Sequence, residues 1–156
     1  MNKWDKRFTD LAMHVAGWSK DPSTQVGAVI VGPDKEVLSV GYNGFPRGMN
    51  DSEERLNDRP LKYALTVHAE RNAILNAARY GISLKGSTLY VIATSGGKYW
   101  GGAPCQACSI EVAQAGISQV VAPTPHGMPD RWRASCHEGA EVLRECGIIY
   151  REFEYA

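Results

Sequence analysis

The chain has 156 residues, a length that fits one domain, so we predict a single domain spanning residues 1–156. Hydrophobic residues make up 44% of the chain and charged residues 22%, which is typical of a globular protein and excludes a disordered chain, a collagen-like chain or a coiled coil. Seventeen basic and seventeen acidic residues cancel. A net charge of zero argues against a protein that wraps long nucleic acid, although one nucleotide could still be held by one or two arginines.

The first part of the chain predicts one helix followed by a β-hairpin. Apolar residues recur at helical spacing near the start and predict a helix over about 5–19. A β-branched run and its return across a Gly-Pro-Asp turn predict two strands over 26–31 and 37–42. Residues 44–62 carry four basic and four acidic side chains, and we expect an exposed loop there.

The remainder of the chain alternates between helix and strand. The predicted helices cover about 66–80, 104–116 and 134–146, and the predicted strands cover 89–93, 119–122 and 148–153. Residues 95–102, with the sequence SGGKYWGG, are predicted to form a glycine-rich loop. The complete order α-β-β-α-β-α-β-α-β predicts a three-layer αβα fold of the α/β class, in which a five-stranded mixed sheet carries helices on both faces.

The sequence favours a protein of the cytoplasm. No apolar run approaches the ~18 residues of a membrane-spanning helix, so we expect no membrane association. Residues 1–10 are charged and lack the apolar segment of a secretory signal. Thiols stay reduced in the cytoplasm, so the C-x-x-C formed by Cys105 and Cys108 predicts metal ligands or a redox dithiol before it predicts a disulfide.

Two short motifs, His68-x-Glu70 and Pro104-Cys105-x-x-Cys108, each stand at the predicted start of a helix. A helix N-terminus carries partial positive charge, which favours the thiolate form of cysteine that binds metals. Cys105 and Cys108 are three residues apart and share one face of their helix. Two sulfurs and one imidazole nitrogen suit Zn²⁺, and three protein ligands leave a fourth position for water, as in catalytic zinc sites. We therefore predict one Zn²⁺ per chain, with Glu70 beside the water as general base.

The pattern H-x-E…P-C-x-x-C is the signature of zinc-dependent nucleobase deaminases. Further motifs extend the resemblance over roughly residues 4–153: SKDP at 19–22, QVGA at 25–28, GYNG at 41–44 and HAExNAI at 68–74. Together they resemble the deoxycytidylate (dCMP) deaminase family, within the zinc-dependent cytidine and deoxycytidylate deaminase superfamily. The resemblance implies the cytidine deaminase fold, a five-stranded mixed sheet between helices, which agrees with the order of elements predicted above.

The resemblance also implies a reaction, the hydrolytic deamination of dCMP to dUMP and ammonia. In enzymes of this family, a zinc held by residues that match His68, Cys105 and Cys108 carries a hydroxide that attacks C4 of cytosine. The residue that matches Glu70 shuttles protons to N3 and to the leaving amine. The implied partner is a small deoxynucleotide.

Four further residues are implied to bind the substrate. The backbone N–H of Ala69 would hold the pyrimidine O2, and Asn43 would contact the sugar. Arg79 matches a position near the substrate phosphate in some relatives, and Lys20 is a weaker candidate for the same contact. Arg79 is equally typical of an exposed arginine at a helix end.

The chain departs from the family pattern in two places. The segment between Val91 and Pro104 is longer than in many dCMP deaminases. Its Tyr99 and Trp100 could close over the base as a lid, or could belong to a surface insertion or an oligomer contact. The insertion leaves dCMP, dCTP and modified deoxycytidylates open as substrates. Residues 45–67 contain no Cys or His, so we expect no second zinc site of the kind found in some relatives.

Regulation is implied by the same resemblance. Many members of the family are hexamers that dCTP activates and dTTP inhibits. The segment 41–48, with the sequence GYNGFPRG, resembles the loop used in that regulation, and Arg47 is its candidate anion contact. The resemblance therefore implies a homo-oligomer, a hexamer or a dimer, with dCTP and dTTP as effectors and Mg²⁺ where a regulatory nucleotide binds.

Two alternatives stay open. The chain could deaminate a related target, such as a nucleoside, a free base or an adenosine in RNA, although zero net charge and the dCMP-type motifs speak against RNA. It could instead be a zinc-stabilised interaction module without catalysis, but such a module does not need Glu70 beside an open metal position. Cys136 and His137 are expected to be core or surface residues, and His14 and His126 have no companion ligand nearby in sequence.

Overall fold

A computed structural model describes residues 2–155 of the chain. These residues form six helices and six strands in the order α1-β1-β2-α2-α3-α4-β3-β4-α5-β5-α6-β6. The helices are α1 Lys3–Ala16, α2 Glu53–Asn57, α3 Arg59–Leu65, α4 Ala69–Arg79, α5 Gln106–Gln114 and α6 Asp130–Glu145. The strands are β1 Thr24–Val31, β2 Val37–Tyr42, β3 Thr88–Ser95, β4 Lys98–Trp100, β5 Gln119–Pro123 and β6 Ile149–Phe153.

The strands form one mixed sheet in the order β2-β1-β3-β5-β6. Strand β1 pairs antiparallel with β2 on one side and with β3 on the other. The pairs β3–β5 and β5–β6 are parallel, because helices α5 and α6 supply the crossovers that parallel neighbours require. The predicted five-stranded mixed sheet is therefore confirmed, and the short strand β4 adds a sixth strand beside β3.

Helices cover both faces of the sheet, as predicted. On β1, Ala28 and Ile30 point into one apolar cluster, whereas Val29 and Val31 point into the other. This alternation follows from the two-residue repeat of a strand. The first cluster packs under α4, α5 and α6, and the second packs under α1. Nearly continuous apolar runs in β1 and β3 thus reflect strands that are buried on both faces.

Two predicted loops contain secondary structure. Residues 44–62 were expected to be an exposed loop, but they hold α2 and most of α3. The carboxylate of Asp58 accepts the backbone N–H of Leu61, and a proline occupies the first turn of α3, both of which favour a helix start. The segment 95–102 was expected to be a glycine-rich loop. It instead extends β3, turns at Gly96 and Gly97, which have positive φ angles, and returns as β4.

Close packing at glycine fixes the position of the two helix starts that carry the motifs. A Cβ atom at Gly41 on β2 would lie 2.4 Å from the backbone oxygen of Ala69 and 2.4 Å from the backbone nitrogen of Ala73. A Cβ atom at Gly139 on α6 would lie 2.0 Å from the backbone oxygen of Pro104, just before α5. The absence of a side chain therefore allows α4 to lie directly on β2 and the start of α5 to lie directly on α6.

We expect Gly41→Ala to move the start of α4 and to destabilise the protein. The added methyl group overlaps backbone atoms that cannot rotate away, so the free energy of unfolding should fall by about 1–3 kcal/mol in urea denaturation. Gly44→Ala is the matched control, because a Cβ atom there has nothing within 4 Å. Equal stability of the two variants would show that the contact with α4 does not constrain the fold.

Candidate active site

The histidine and the first cysteine of the motifs occupy equivalent positions in the structure. His68 immediately precedes α4 and Cys105 immediately precedes α5, each in an extended conformation. Cys108 lies in the first turn of α5 and is buried. The last residue before a helix can turn its side chain across the helix end, so the two helices bring three potential ligands to one point.

The distances between the ligand atoms fit a tetrahedral metal ion. The Nδ1 atom of His68 lies 3.4 Å from the sulfur of Cys105 and 3.4 Å from the sulfur of Cys108. Zn–S bonds of ~2.3 Å and a Zn–N bond of ~2.0–2.1 Å at a tetrahedral angle require a sulfur–nitrogen separation of about 3.5 Å. Among residues 2–155, these three side chains are the group whose ligand atoms all lie within 4.8 Å of one another. The donor set therefore fits Zn²⁺ without a change in backbone position.

The protonation of the three groups is linked. The hydrogen bond with Cys108 lowers the pKa of Cys105 against the effect of burial, and the hydrogen bond with His68 lowers it further. The hydrogen bond to Cys105, together with burial, raises the pKa of Cys108. The hydrogen bond to Cys105 also raises the pKa of His68, against the effect of burial. The raised pKa values of His68 and Cys108 mean that this cluster holds protons without a metal ion, and a divalent cation would displace them on binding.

Glu70 lies in the first turn of α4 and lines the same pocket as His68 and Cys105. Its residue surface is only 6% exposed. Burial raises the pKa of Glu70, and the nearby His68 charge opposes this rise. A carboxyl group with a raised pKa exchanges protons more readily near neutral pH, as general acid–base work requires. Glu70 does not belong to the group of ligand atoms described above, so it is free to act on a water molecule.

Two of the predicted substrate contacts also line the pocket. Asn43 is buried, and its side chain is held by the backbone: Oδ1 accepts the N–H of Val26 at 2.8 Å and Nδ2 donates to the carbonyl of Thr24 at 2.9 Å. Ala69 is the first residue of α4, and the first N–H groups of a helix have no partner within it. Both residues are therefore rigidly placed beside the candidate metal ligands.

Three other predicted contacts lie outside the residues that line this pocket. The ammonium group of Lys20 is exposed and pairs with Asp51. Arg79 ends α4, about 15 Å along the helix axis from Ala69 at 1.5 Å per residue. The exposed Arg47 donates to the side chain of Asn76 on α4. Roles for these three residues stay predictions.

The hairpin of β3 and β4 separates the two aromatic residues of the predicted lid. Trp100 is 8% exposed, lines the pocket and packs in a small apolar cluster with Ala93 and Met128. Tyr99 points the other way, is 42% exposed and contacts Tyr155. Because neighbouring residues of a strand face opposite sides, only Trp100 is part of the pocket wall. Closure of this hairpin over a base stays a prediction.

Several residues of the pocket were missed by the sequence analysis. Lys62 of α3 pairs with Asp21 at 3.1 Å, and their side chains are only 7% and 8% exposed. Arg131 and Trp132 line the pocket from the first turn of α6. This helix begins at Asp130, four residues before its predicted start. The pair formed by Asp130 and Arg133 at helical spacing was the signal for the earlier start. Tyr63, Ser23 and Thr24 are further pocket residues that the sequence analysis missed.

Several known proteins are similar to this chain. The family model described as the cytidine and deoxycytidylate deaminase zinc-binding region matches residues 2–124. An uncharacterised deaminase of Aliivibrio fischeri is 38% identical over 149 residues, which cover 95% of this chain and 92% of the relative. The deoxycytidylate deaminase of Mus musculus is 33% identical over 158 aligned positions, which cover 97% of this chain and 80% of the relative.

A solved structure is similar over nearly the whole chain. The dCMP deaminase of cyanophage S-TIM5, crystallised in complex with dCMP and dUMP, superposes with a TM-score of 0.72 at 25% sequence identity. The match covers 98% of this chain and 99% of the phage chain. The present chain belongs to the cytidine and deoxycytidylate deaminase family. Within that family, it resembles the deoxycytidylate deaminases over almost its full length.

We expect Cys105→Ala and Cys108→Ala each to abolish most zinc binding, because either change leaves only two of the three ligands. Zinc content of the purified proteins, measured by mass spectrometry, should fall from about one ion per chain to a small fraction. Cys146→Ala is the matched control, because Cys146 is an exposed free thiol outside the cluster. Full zinc content in either ligand variant would contradict the assigned metal site.

A second pair of variants tests the hairpin. Trp100→Ala removes a buried pocket wall and should lower the free energy of unfolding by about 3 kcal/mol. Tyr99→Ala removes a half-exposed ring on the opposite side and should change stability by less than about 1 kcal/mol. Thermal and urea unfolding would measure both effects, and a larger loss in Tyr99→Ala would refute this assignment of the two faces.

Proposed function

We propose that the protein catalyses the hydrolysis of dCMP to dUMP and ammonia, with one Zn²⁺ held by His68, Cys105 and Cys108. The main support for this proposal is that His68 Nδ1 lies 3.4 Å from the sulfurs of both Cys105 and Cys108. The buried Glu70 lines the same pocket. The names of the mouse relative and of the phage structure support dCMP as substrate.

The reaction exchanges an amino group for an oxygen at C4 of the cytosine ring. When bound, the metal would supply a polarised water as the nucleophile. Glu70 removes one proton from the attacking water and delivers it to N3, and it then passes the second proton, from the hydroxyl formed at C4, to the departing amine. The C4–O bond forms, the C4–N bond breaks, and ammonia leaves with uracil as the product base.

The remaining pocket residues orient the nucleotide. We infer that the N–H of Ala69 donates to the pyrimidine O2 and that Asn43 contacts the sugar, because both residues line the pocket. Trp100 supplies an apolar wall, and its indole nitrogen donates to Ser95 rather than to the pocket. Apolar walls exclude bulk water and thereby strengthen the polar contacts to the reacting base.

Regulation, assembly and location extend the proposal. We infer a cytoplasmic homo-oligomer, a hexamer or a dimer, with dCTP and dTTP as effectors, Arg47 as an anion contact and Mg²⁺ accompanying the regulatory nucleotide. Arg47 is exposed and held at the surface of α4 by Asn76, so its guanidinium group is accessible to a ligand. Within residues 2–155, no helix has the length and apolar character needed to cross a bilayer.

We expect Glu70→Gln to lower turnover of dCMP by about 10²–10⁴-fold, because the amide keeps the shape of the side chain but does not transfer protons. Zinc content should be unchanged, since Glu70 is not a ligand. Glu141→Gln, a change of the same kind on the exposed face of α6, is the control. Full turnover by Glu70→Gln with zinc bound would contradict the mechanism.

The same assay separates dCMP deamination from the alternatives. Release of ammonia from dCMP, dCTP, deoxycytidine, CMP and 5-substituted dCMP identifies the preferred substrate. A zinc-bound protein that acts on none of these compounds would favour the non-catalytic module. The buried carboxyl group of Glu70 beside the metal ligands argues against that alternative, because burying an ionisable group without a role is costly.

A further inference from the structure

Arg131 is a cation at the pocket, and no carboxylate within residues 2–155 lies at ion-pair distance from it. Among residues 2–155, the ion pairs of the pocket and of the first turn of α6 are Lys62 with Asp21 and Arg133 with Asp130. Lys62 is therefore compensated within the protein, and the acidic neighbour of Arg131 is used by Arg133. The guanidinium group of Arg131 lines the pocket and remains exposed.

Hydroxyl groups hold this guanidinium group in place. Nη2 of Arg131 donates to the Ser23 hydroxyl at 3.3 Å and to the Thr24 hydroxyl at 3.2 Å. Both contacts use a single nitrogen of a group that carries five N–H donors. The remaining donors form a planar fork that matches the oxygens of a phosphate group. Neutral partners orient the side chain without cancelling its charge.

Arg131 and the candidate metal ligand His68 line the same recess. Its neighbour Trp132 places its ring edge-on to His68, with 6.2 Å between the ring centroids. Tyr63 lies edge-on to Trp132 at 6.4 Å, and one recess is lined by Tyr63, His68, Arg131 and Trp132. The same pocket therefore contains a candidate metal ligand and an uncompensated cation, separated by aromatic side chains.

We propose that Arg131 binds the 5′-phosphate of the substrate and makes the enzyme select nucleoside monophosphates over nucleosides. This inference rests on the proposed deamination of a deoxynucleotide and identifies the residue that recognises its charge. It assigns the phosphate contact to a residue of α6 within the same chain, whereas the sequence analysis favoured Arg79 and Lys20. Both of those residues lie outside the pocket lining.

Steady-state kinetics on dCMP and deoxycytidine test the proposal. Arg131→Gln keeps a donor for Ser23 and Thr24 but removes the charge, and it should lower kcat/KM for dCMP by about 10- to 100-fold. The kcat/KM for deoxycytidine should stay within about twofold, because that substrate has no phosphate. Arg133→Gln, two residues further along α6 and paired with Asp130, should leave both values unchanged. Equal losses on both substrates in Arg131→Gln would mean a structural role and overturn the proposal.

A binding measurement tests the phosphate contact of Arg131 even if the protein deaminates neither dCMP nor deoxycytidine. Calorimetry on zinc-loaded protein would compare dUMP with deoxyuridine. The wild-type chain should prefer dUMP by about 10- to 100-fold, Arg131→Gln should lose this preference, and Arg131→Lys should keep part of it. Inactivity of the wild-type chain with this binding pattern intact would refute the deamination proposal alone. No preference for dUMP in the wild-type chain, or an unchanged preference in Arg131→Gln, would refute the role of Arg131.

Discussion

The structure depends on the approach of one imidazole nitrogen to two sulfur atoms. His68 and the two cysteines come from segments that are far apart in sequence, and each segment contributes the start of a helix. The separation of 3.4 Å between Nδ1 and each sulfur matches the spacing of ligands around a tetrahedral zinc ion.

Glycine supplies the close contacts that this meeting requires. Strand β2 lies against α4 at Gly41, and helix α6 lies against the start of α5 at Gly139. In each case a side chain would overlap backbone atoms, and interiors packed at crystal-like density cannot absorb such an overlap without a shift of the whole element. A shift of one ångström would be large compared with the tolerance of metal–ligand distances. The geometry of the candidate metal site is thus set in part by Gly41 and Gly139, which are not among its candidate ligands.

The parts of the site that lie within short motifs could be predicted from the sequence, and the parts that depend on tertiary contact could not. Two short motifs contain His68, Glu70, Cys105 and Cys108. The residue types and their spacing in these motifs indicate metal ligands and a general base. Lys62 was counted among the charges of an exposed loop, because only the fold shows that it pairs with Asp21 in a buried position. Arg131 was not predicted for a similar reason, because the hydroxyl groups of Ser23 and Thr24 that orient it lie more than a hundred residues earlier in the chain.

The fold was predictable to a similar extent. Hydrophobic periodicity gave the order of the main helices and the five long strands, because burial on one or both faces imposes a repeat on the sequence. Periodicity did not predict α2 and α3, because these short helices depend on the cap at Asp58 and on the burial of Leu56 and Lys62. It also did not give β4, because three residues are too few to show a repeat.

A row of hydroxyl groups joins two sides of the pocket that belong to different layers of the fold. The indole nitrogen of Trp100 donates to Ser95, the Ser95 hydroxyl lies 3.0 Å from that of Thr24, and Thr24 accepts from Arg131. Trp100 and Arg131 are consequently linked by a chain of hydrogen bonds that passes through Thr24 at the start of β1. Lengthening or shortening the β3–β4 hairpin would therefore change the positions of Trp100 and Arg131 together.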